Sequence, residues 1–301
     1  MTDIICTHGL TKTYGRHTVV EDLDLRVPTG CVYGFLGPNG AGKSTAMKML
    51  LSLVSPTRGE VMIMGRPMHR GTRRELLGDI GSLIESPPGY GHLTGAENMR
   101  IVQRLLGLAD AQIDEAVRTV RLENQLDKKV RDYSLGMKQR LGIAMALARQ
   151  PRILILDEPT NGLDPAGIEE IRGLLRSLAD SGVTVMVSSH LLGEIDRTAT
   201  VLGILSGGRL VFQGTREQLF AASTPDLLLD TADPQRTASL IRPEMQRGAH
   251  GRTLRLTGID EPATARLVSD LAGAGIDIYG VRRDKQTLED VFMDVTAEGG
   301  L

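Results

Sequence analysis

The sequence predicts an α/β fold: a helix-covered parallel sheet carrying a glycine-rich loop, with a helical subdomain inserted into it and a small α+β domain after it. Three observations predict this. The apolar run CVYGFL leads straight into GPNGAGKST at residues 37–45 and then into a helix-forming stretch. Two later apolar runs, RILILDEP and VTVMVSSH, alternate with helical patterns, and past Gly214 a different pattern of short strands and helices begins.

Along the chain, Leu23, Leu25 and Val27 alternate with Asp22, Asp24 and Arg26, a period of two that reads as a half-exposed strand ended by Pro28, Thr29 and Gly30. CVYGFL follows as a buried strand, KSTAMKMLLSLV as a helix, and SPTRGEVMIMGRP as a turn and a short strand. From about Pro87 to Lys129 the chain is charged, Leu-rich and helical in pattern. This is the inserted subdomain, which with the next helix extends to about residue 150. Asp164 and Pro165 form an N-cap and first-turn pair, Ile168, Ile171, Leu175 and Leu178 share one helix face, and Gly182 follows the end. The first domain is expected to span residues 1–220. From 225 to 301, LLLDT, a short helix, TLRLTG, the helix ATARLVSDLAGAG and IDIYGVRR suggest a ferredoxin-like α+β unit. TLEDVFMDV closes it as an amphipathic helix with Leu288, Val291, Phe292 and Val295 on one face.

Composition agrees with two domains: 301 residues, 41% hydrophobic. Thirty-five Lys and Arg against 37 Asp and Glu give a net charge of −2, so no nucleic-acid partner is expected from bulk charge. MTDIICTHGL lacks the basic start and apolar core of a signal peptide, and no apolar run approaches the ~18 residues of a spanning helix. A soluble, cytoplasmic chain is the expectation. Cys6 and Cys31 are too few for a disulfide framework, and Cys31 reads as a small buried hydrophobe.

The chemistry begins at the loop. Gly37, Pro38, Asn39, Gly40, Ala41, Gly42, Lys43, Ser44 and Thr45 fit G-x-x-x-x-G-K-[ST]. In that pattern backbone N–H groups cradle phosphates, the lysine reaches the β and γ oxygens, and the hydroxyl coordinates magnesium. The loop therefore holds a nucleoside triphosphate. RILILDEPT ends a strand in Asp157, which falls beside the bound metal, and Glu158, which can orient a water. A DE pair at a strand end is more often a solvated edge; after a phosphate loop in the same sheet it is catalytic. In YSLGMKQRLGIAMALARQP, Leu141, Ala144, Met145 and Ala148 share a helix face, while Ser134 and Gly136 lie at the helix N-terminus, where anions bind.

That last stretch resembles the signature of the ATP-binding subunits of ABC transporters. Ser134 and Gly136 match its serine and second glycine, Leu135 stands at the first glycine, and Met137 replaces the glutamine. The resemblance spans residues 4–220. It implies that Tyr14 in TKTYGRH stacks on adenine, that Asn161, Gly162, Leu163 and Asp164 form the loop crossing between subunits, and that His190 contacts the γ-phosphate. In IGSLIESPPGY, Glu85 stands where most of the family has a glutamine. With LEDVFMDVT, this resembles the bacitracin and lantibiotic efflux and immunity ATPases of the ABC-2 group. Glutamate keeps oxygen acceptors for magnesium and water, loses the amide donor and adds charge.

The resemblance implies a P-loop NTPase core of the ABC type binding ATP and Mg2+, with Ser44, Asp157 and Glu85 on the metal and Glu158, His190 and Lys43 in catalysis. It also implies a homodimer that sandwiches two MgATP head to tail, and a separate ABC-2 membrane permease exporting a peptide or hydrophobic antibiotic. The subunit would lie peripherally on the inner face of the cell membrane. Two other readings stand beside it: an ABC-type ATPase without a permease, and a nucleotide-gated module whose residues 225–301 capture a drug. Against the first, the chain carries one motif set and no sustained heptads.

Overall fold

The computed structural model describes residues 2–85, 87–190, 193, 198–221, 226–284 and 291. The chain divides into two compact units, Met1–Arg216 and Glu217–Asp294.

The first unit holds two sheets. In the antiparallel one, β1 (Asp3–Tyr14) pairs with β2 (His17–Leu23), β3 (Arg26–Pro28) and β5 (Arg58–Ile63), and β6 (Arg66–Pro67) pairs with β5. The single strand expected through residues 22–27 is thus broken between β2 and β3. Asp22 turns to φ 52°, and the Thr7 hydroxyl fills the gap, donating to Leu23 O at 2.6 Å and accepting from Leu25 N at 2.8 Å. The second sheet carries the expected parallel strands in the order β11-β10-β4-β9-β8-β7, built from β4 (Val32–Leu36), β7 (Ile80–Leu83), β8 (Ile153–Leu156), β9 (Thr184–Ser189), β10 (Val201–Ser206) and β11 (Arg209–Thr215). Five strands run parallel and β11 is antiparallel to β10. Every residue of β4, β8 and β9 is buried, which is why these strands read as unbroken apolar runs. Burial likewise pushes the Cys31 thiol, next to β4, up to about 11.

Helix α1 (Lys43–Leu50) follows the glycine loop and stops four residues before the expected Val54, because Ser52 turns left-handed at φ 54°. A short α2 (Arg73–Leu76) precedes β7. The inserted subdomain contains α3 (Gly95–Leu106), started by a capping box of Thr94 and Glu97, then α4 (Asp110–Thr119) and α5 (Leu135–Leu147). Helix α5 lies so close to β7 that a Cβ at Gly81 would sit 2.3 Å from Ala146 O. Helix α6 (Pro165–Asp180) has the expected cap, Asp164 accepting from Gly167 N at 3.0 Å, and buries Ile171, Leu175 and Leu178. Helix α7 (Arg216–Ala221) follows β11.

The second unit runs β12 (Leu227–Thr231), α8 (Pro234–Leu240), β13 (Gln246–His250), β14 (Thr253–Leu256), α9 (Glu261–Gly273) and β15 (Ile278–Arg283). Its antiparallel sheet has the order β13-β14-β12-β15, the βαββαβ arrangement of ferredoxin-like folds. Leu227, Leu229, Leu254, Leu256 and Leu271 form its core. Of the closing TLEDVFMDV stretch, Val291 is buried, while Leu288, Phe292 and Val295 lie outside the described residues.

Because the Gly81 contact is with backbone, it cannot be relieved by a rotamer change. Gly81→Ala is expected to destabilise the protein by about 1–3 kcal/mol through overpacking. A urea unfolding midpoint equal to that of the parent would contradict the close approach of α5 to β7.

Candidate functional site

Parallel pairing builds the site. Leu36 of β4 lies opposite Ser189 of β9, Leu156 of β8 opposite Val187 of β9, and Leu83 of β7 opposite Leu156. Neighbouring strands are about 4.8 Å apart, so the residues that follow them emerge side by side at one edge of the sheet. In that register Asp157 comes level with Ser188, and Glu85 level with Glu158. Four segments that are far apart in sequence thus deliver Gly37, His190, Asp157 and Glu85 to a common edge.

The loop between β4 and α1 is shaped for an anion. Gly42 is the N-cap of α1 at φ 101°, with no side chain capping the helix, and a Cβ there would lie 2.6 Å from Val19 O. The first N–H groups of α1 therefore face the loop rather than a cap. Lys43 is only 5% exposed; its ammonium donates to Gly37 O at 2.7 Å and Pro38 O at 3.2 Å and lies 3.9 Å from Glu158 Oε1. Burial lowers its pKa, and the charges of Glu158 and Asp157 pull it back up.

Asp157, 7% exposed, accepts from Ser188 Oγ at 2.6 Å, and the same hydroxyl accepts from Glu158 N at 2.9 Å. Glu158 adopts φ 48°, and its Oε2 lies 3.0 Å from His190 Nδ1. Glu85, at φ 68°, accepts a hydrogen bond from the Lys48 ammonium of α1, which holds its carboxyl below the usual range and raises the Lys48 pKa.

Ser44, Glu85, Asp157, Glu158, Gln139 and Asn161 line one cleft of about 390 Å3. Its chemistry suits a metal-bound triphosphate: backbone N–H groups and Lys43 for phosphate, a hydroxyl and carboxylates as hard oxygen ligands for magnesium. Among the described residues no three His, Cys, Asp or Glu side chains form a metal cage. Magnesium would take the Ser44 hydroxyl with one or two carboxylates and complete its shell with phosphate oxygens and water.

The structure thus brings Lys43, Ser44, Glu85, Asp157, Glu158 and His190 together. Tyr14, Ser134 and Gly136 lie outside the lining of this cleft. Tyr14 ends β1, half exposed, with the Lys12 ammonium 4.8 Å from its ring centroid. Ser134 is the N-cap of α5, accepting from Met137 N at 3.2 Å, and Gly136 is in the first turn. The cap leaves the serine its own proton to donate. Sequence reasoning missed Ser188 and Lys48. A hydroxyl inside the buried run VTVMVSSH must find a partner, which was the available signal for Ser188. Lys48 lies four residues after Ser44, on the same face of α1.

An ABC transporter family model matches residues 20–161. The bacitracin transport ATP-binding protein BcrA of Enterococcus faecalis is 38% identical over 303 residues, covering 99% of this chain and 98% of that protein. The chain belongs to the ATP-binding proteins of ABC transporters. It is therefore an ATP-binding and ATP-hydrolysing enzyme whose work is coupled to transport. The lantibiotic transport ATP-binding protein SrtF of Streptococcus pyogenes is 44% identical over 205 residues, covering 68% of this chain and 88% of that protein. Among solved structures, the ATP-binding cassette MJ0796, a dimer in a post-hydrolysis state bound to ADP and Pi, aligns with a TM-score of 0.63 and 26% identity over 70% of this chain and 98% of its own. Among the described residues no helix is long and apolar enough to cross a membrane.

Ser188→Ala would leave Asp157 Oδ1 and Glu158 N without the hydroxyl that joins them. The expected cost is about 1–3 kcal/mol of stability, together with slower ATP hydrolysis as both carboxylates lose their alignment. A variant with the parent's unfolding midpoint and rate would deny the bridge any role.

Proposed function

We propose that this ATPase powers a separate ABC-2-type permease that exports a peptide or hydrophobic antibiotic, working as a homodimer on the cytoplasmic face of the membrane. The observation that carries this reading is the likeness along nearly the whole chain, second unit included, to a bacitracin transport ATP-binding protein. The shorter likeness to a lantibiotic transport ATP-binding protein points to the same chemical class.

In the mechanism, Lys43 and the amides of the loop Gly37–Thr45 bind the phosphates, and Tyr14 stacks on the adenine. Ser44, Asp157 and Glu85 would hold magnesium, which when bound would offset the charge of the phosphates. Glu158 accepts a proton from the attacking water, a role suited to a carboxylate held between Lys43 and His190. His190 steadies the γ-phosphate, and Ser134 and Gly136 at the N-terminus of α5 close the site of the opposite copy, where helix N–H groups favour an anion. The dimeric state of the MJ0796 cassette supports a homodimer.

The test is transport. Inverted membrane vesicles carrying this chain and an ABC-2 permease from the same genome are expected to accumulate bacitracin or a lantibiotic when given ATP, and to lose accumulation with Lys43→Ala. Vesicles that hydrolyse ATP normally yet accumulate neither would overturn the cargo class while leaving the ATPase assignment intact.

A further inference from the structure

Beside the nucleotide cleft, and paired with one of its lining carboxylates, is a cation that the phosphate chemistry does not use. Lys43 is committed to the carbonyls of Gly37 and Pro38 and to Glu158. Lys48, one turn of α1 beyond Ser44, instead grips Glu85. Glu85 lines the same cleft as Ser44, Asp157 and Glu158. The Lys48 and Glu85 side chains are 30% and 66% exposed, and ion pairs this open to water add little to folding stability. What the pair does fix is position. Glu85 sits in left-handed backbone at φ 68°, a conformation an L-residue holds only when its surroundings impose it, and the Lys48 ammonium is its side-chain partner.

We propose that Lys48 is a positioning residue of the catalytic site, holding the Glu85 carboxylate on α1 in competition with the divalent ion. When metal and nucleotide load the cleft, the Glu85 carboxylate exchanges the ammonium for the metal. A glutamine at residue 85 could not make this exchange, because a neutral amide offers Lys48 a weaker acceptor than a carboxylate does.

The proposal rests on Glu85 as a metal ligand, and two measurements on the full-length protein test it. The first uses no metal or nucleotide: hydrogen exchange of the Glu85, Gly89 and Tyr90 amides should quicken in Lys48→Met and stay near the parent rate in Lys48→Arg. The second is the Mg2+ concentration giving half-maximal binding of a fluorescent ATP analogue. Lys48→Met, by removing the competitor, should lower it about fivefold or more. In a Glu85→Gln background, the same substitution should change it little, because no carboxylate is left to compete for. An equal shift in both backgrounds would make Lys48 a general surface charge and overturn the proposal. If Glu85→Gln alters the magnesium requirement and Lys48→Met does not, the competition fails while the metal-ligand role survives. If neither alters it, both fall.

Discussion

The parallel register of β4, β9, β8 and β7 determines where this protein can be polar. Both faces of β4, β8 and β9 are covered, so Val32–Leu36, Ile153–Leu156 and Thr184–Ser189 are wholly buried, and in these strands charged groups can appear only past the ends. The loop, the carboxylates and the histidine all sit there. A slip of one residue between β8 and β9 would turn every side chain of one strand to the opposite face and carry Asp157 away from Ser188. The position of the carboxylates is therefore maintained by apolar burial several residues away rather than by the carboxylates themselves.

Within that frame the electrostatics are arranged before any ligand arrives. A nearly buried ammonium would be costly alone, and Lys43 is compensated by two loop carbonyls and Glu158. Asp157 and Glu158 share the Ser188 hydroxyl, and Glu158 also faces His190. These groups need little reorganisation when phosphate charge enters, which is how fixed dipoles and charges accelerate phosphoryl transfer. Glu85 differs in being exposed, with the Lys48 ammonium as its side-chain partner.

Much of this was legible in the sequence for a physical reason. Strands buried on both faces leave continuous apolar runs, the loop needs its glycines, and Asp164 with Pro165 marks the start of α6 through local hydrogen bonding alone. What was not legible depends on partners distant in the chain. The break between β2 and β3 is set by Thr7, some sixteen residues away in its bond to Leu23. The end of α1 is set by the backbone at Ser52, the Ser188 bridge by the pairing of β9 with β8, and the Lys48 contact by the path of the chain after β7. In the second unit, the alternation of strands and helices was readable, whereas the order β13-β14-β12-β15 required long-range pairing. Tyr14 was read as an adenine-stacking ring; the structure adds the Lys12 ammonium near it, which no motif announces.

In the proposed mechanism the carboxylate of Glu158, delivered by the strand ends, serves the chemistry and not the binding. Nucleotide affinity and single-turnover phosphate release measured side by side in Glu158→Gln separate the two. ATP affinity is expected to stay close to that of the parent while phosphate release slows by about a hundredfold or more, because a positioned base has lost its acceptor. Undiminished release from a variant that binds ATP normally would contradict it.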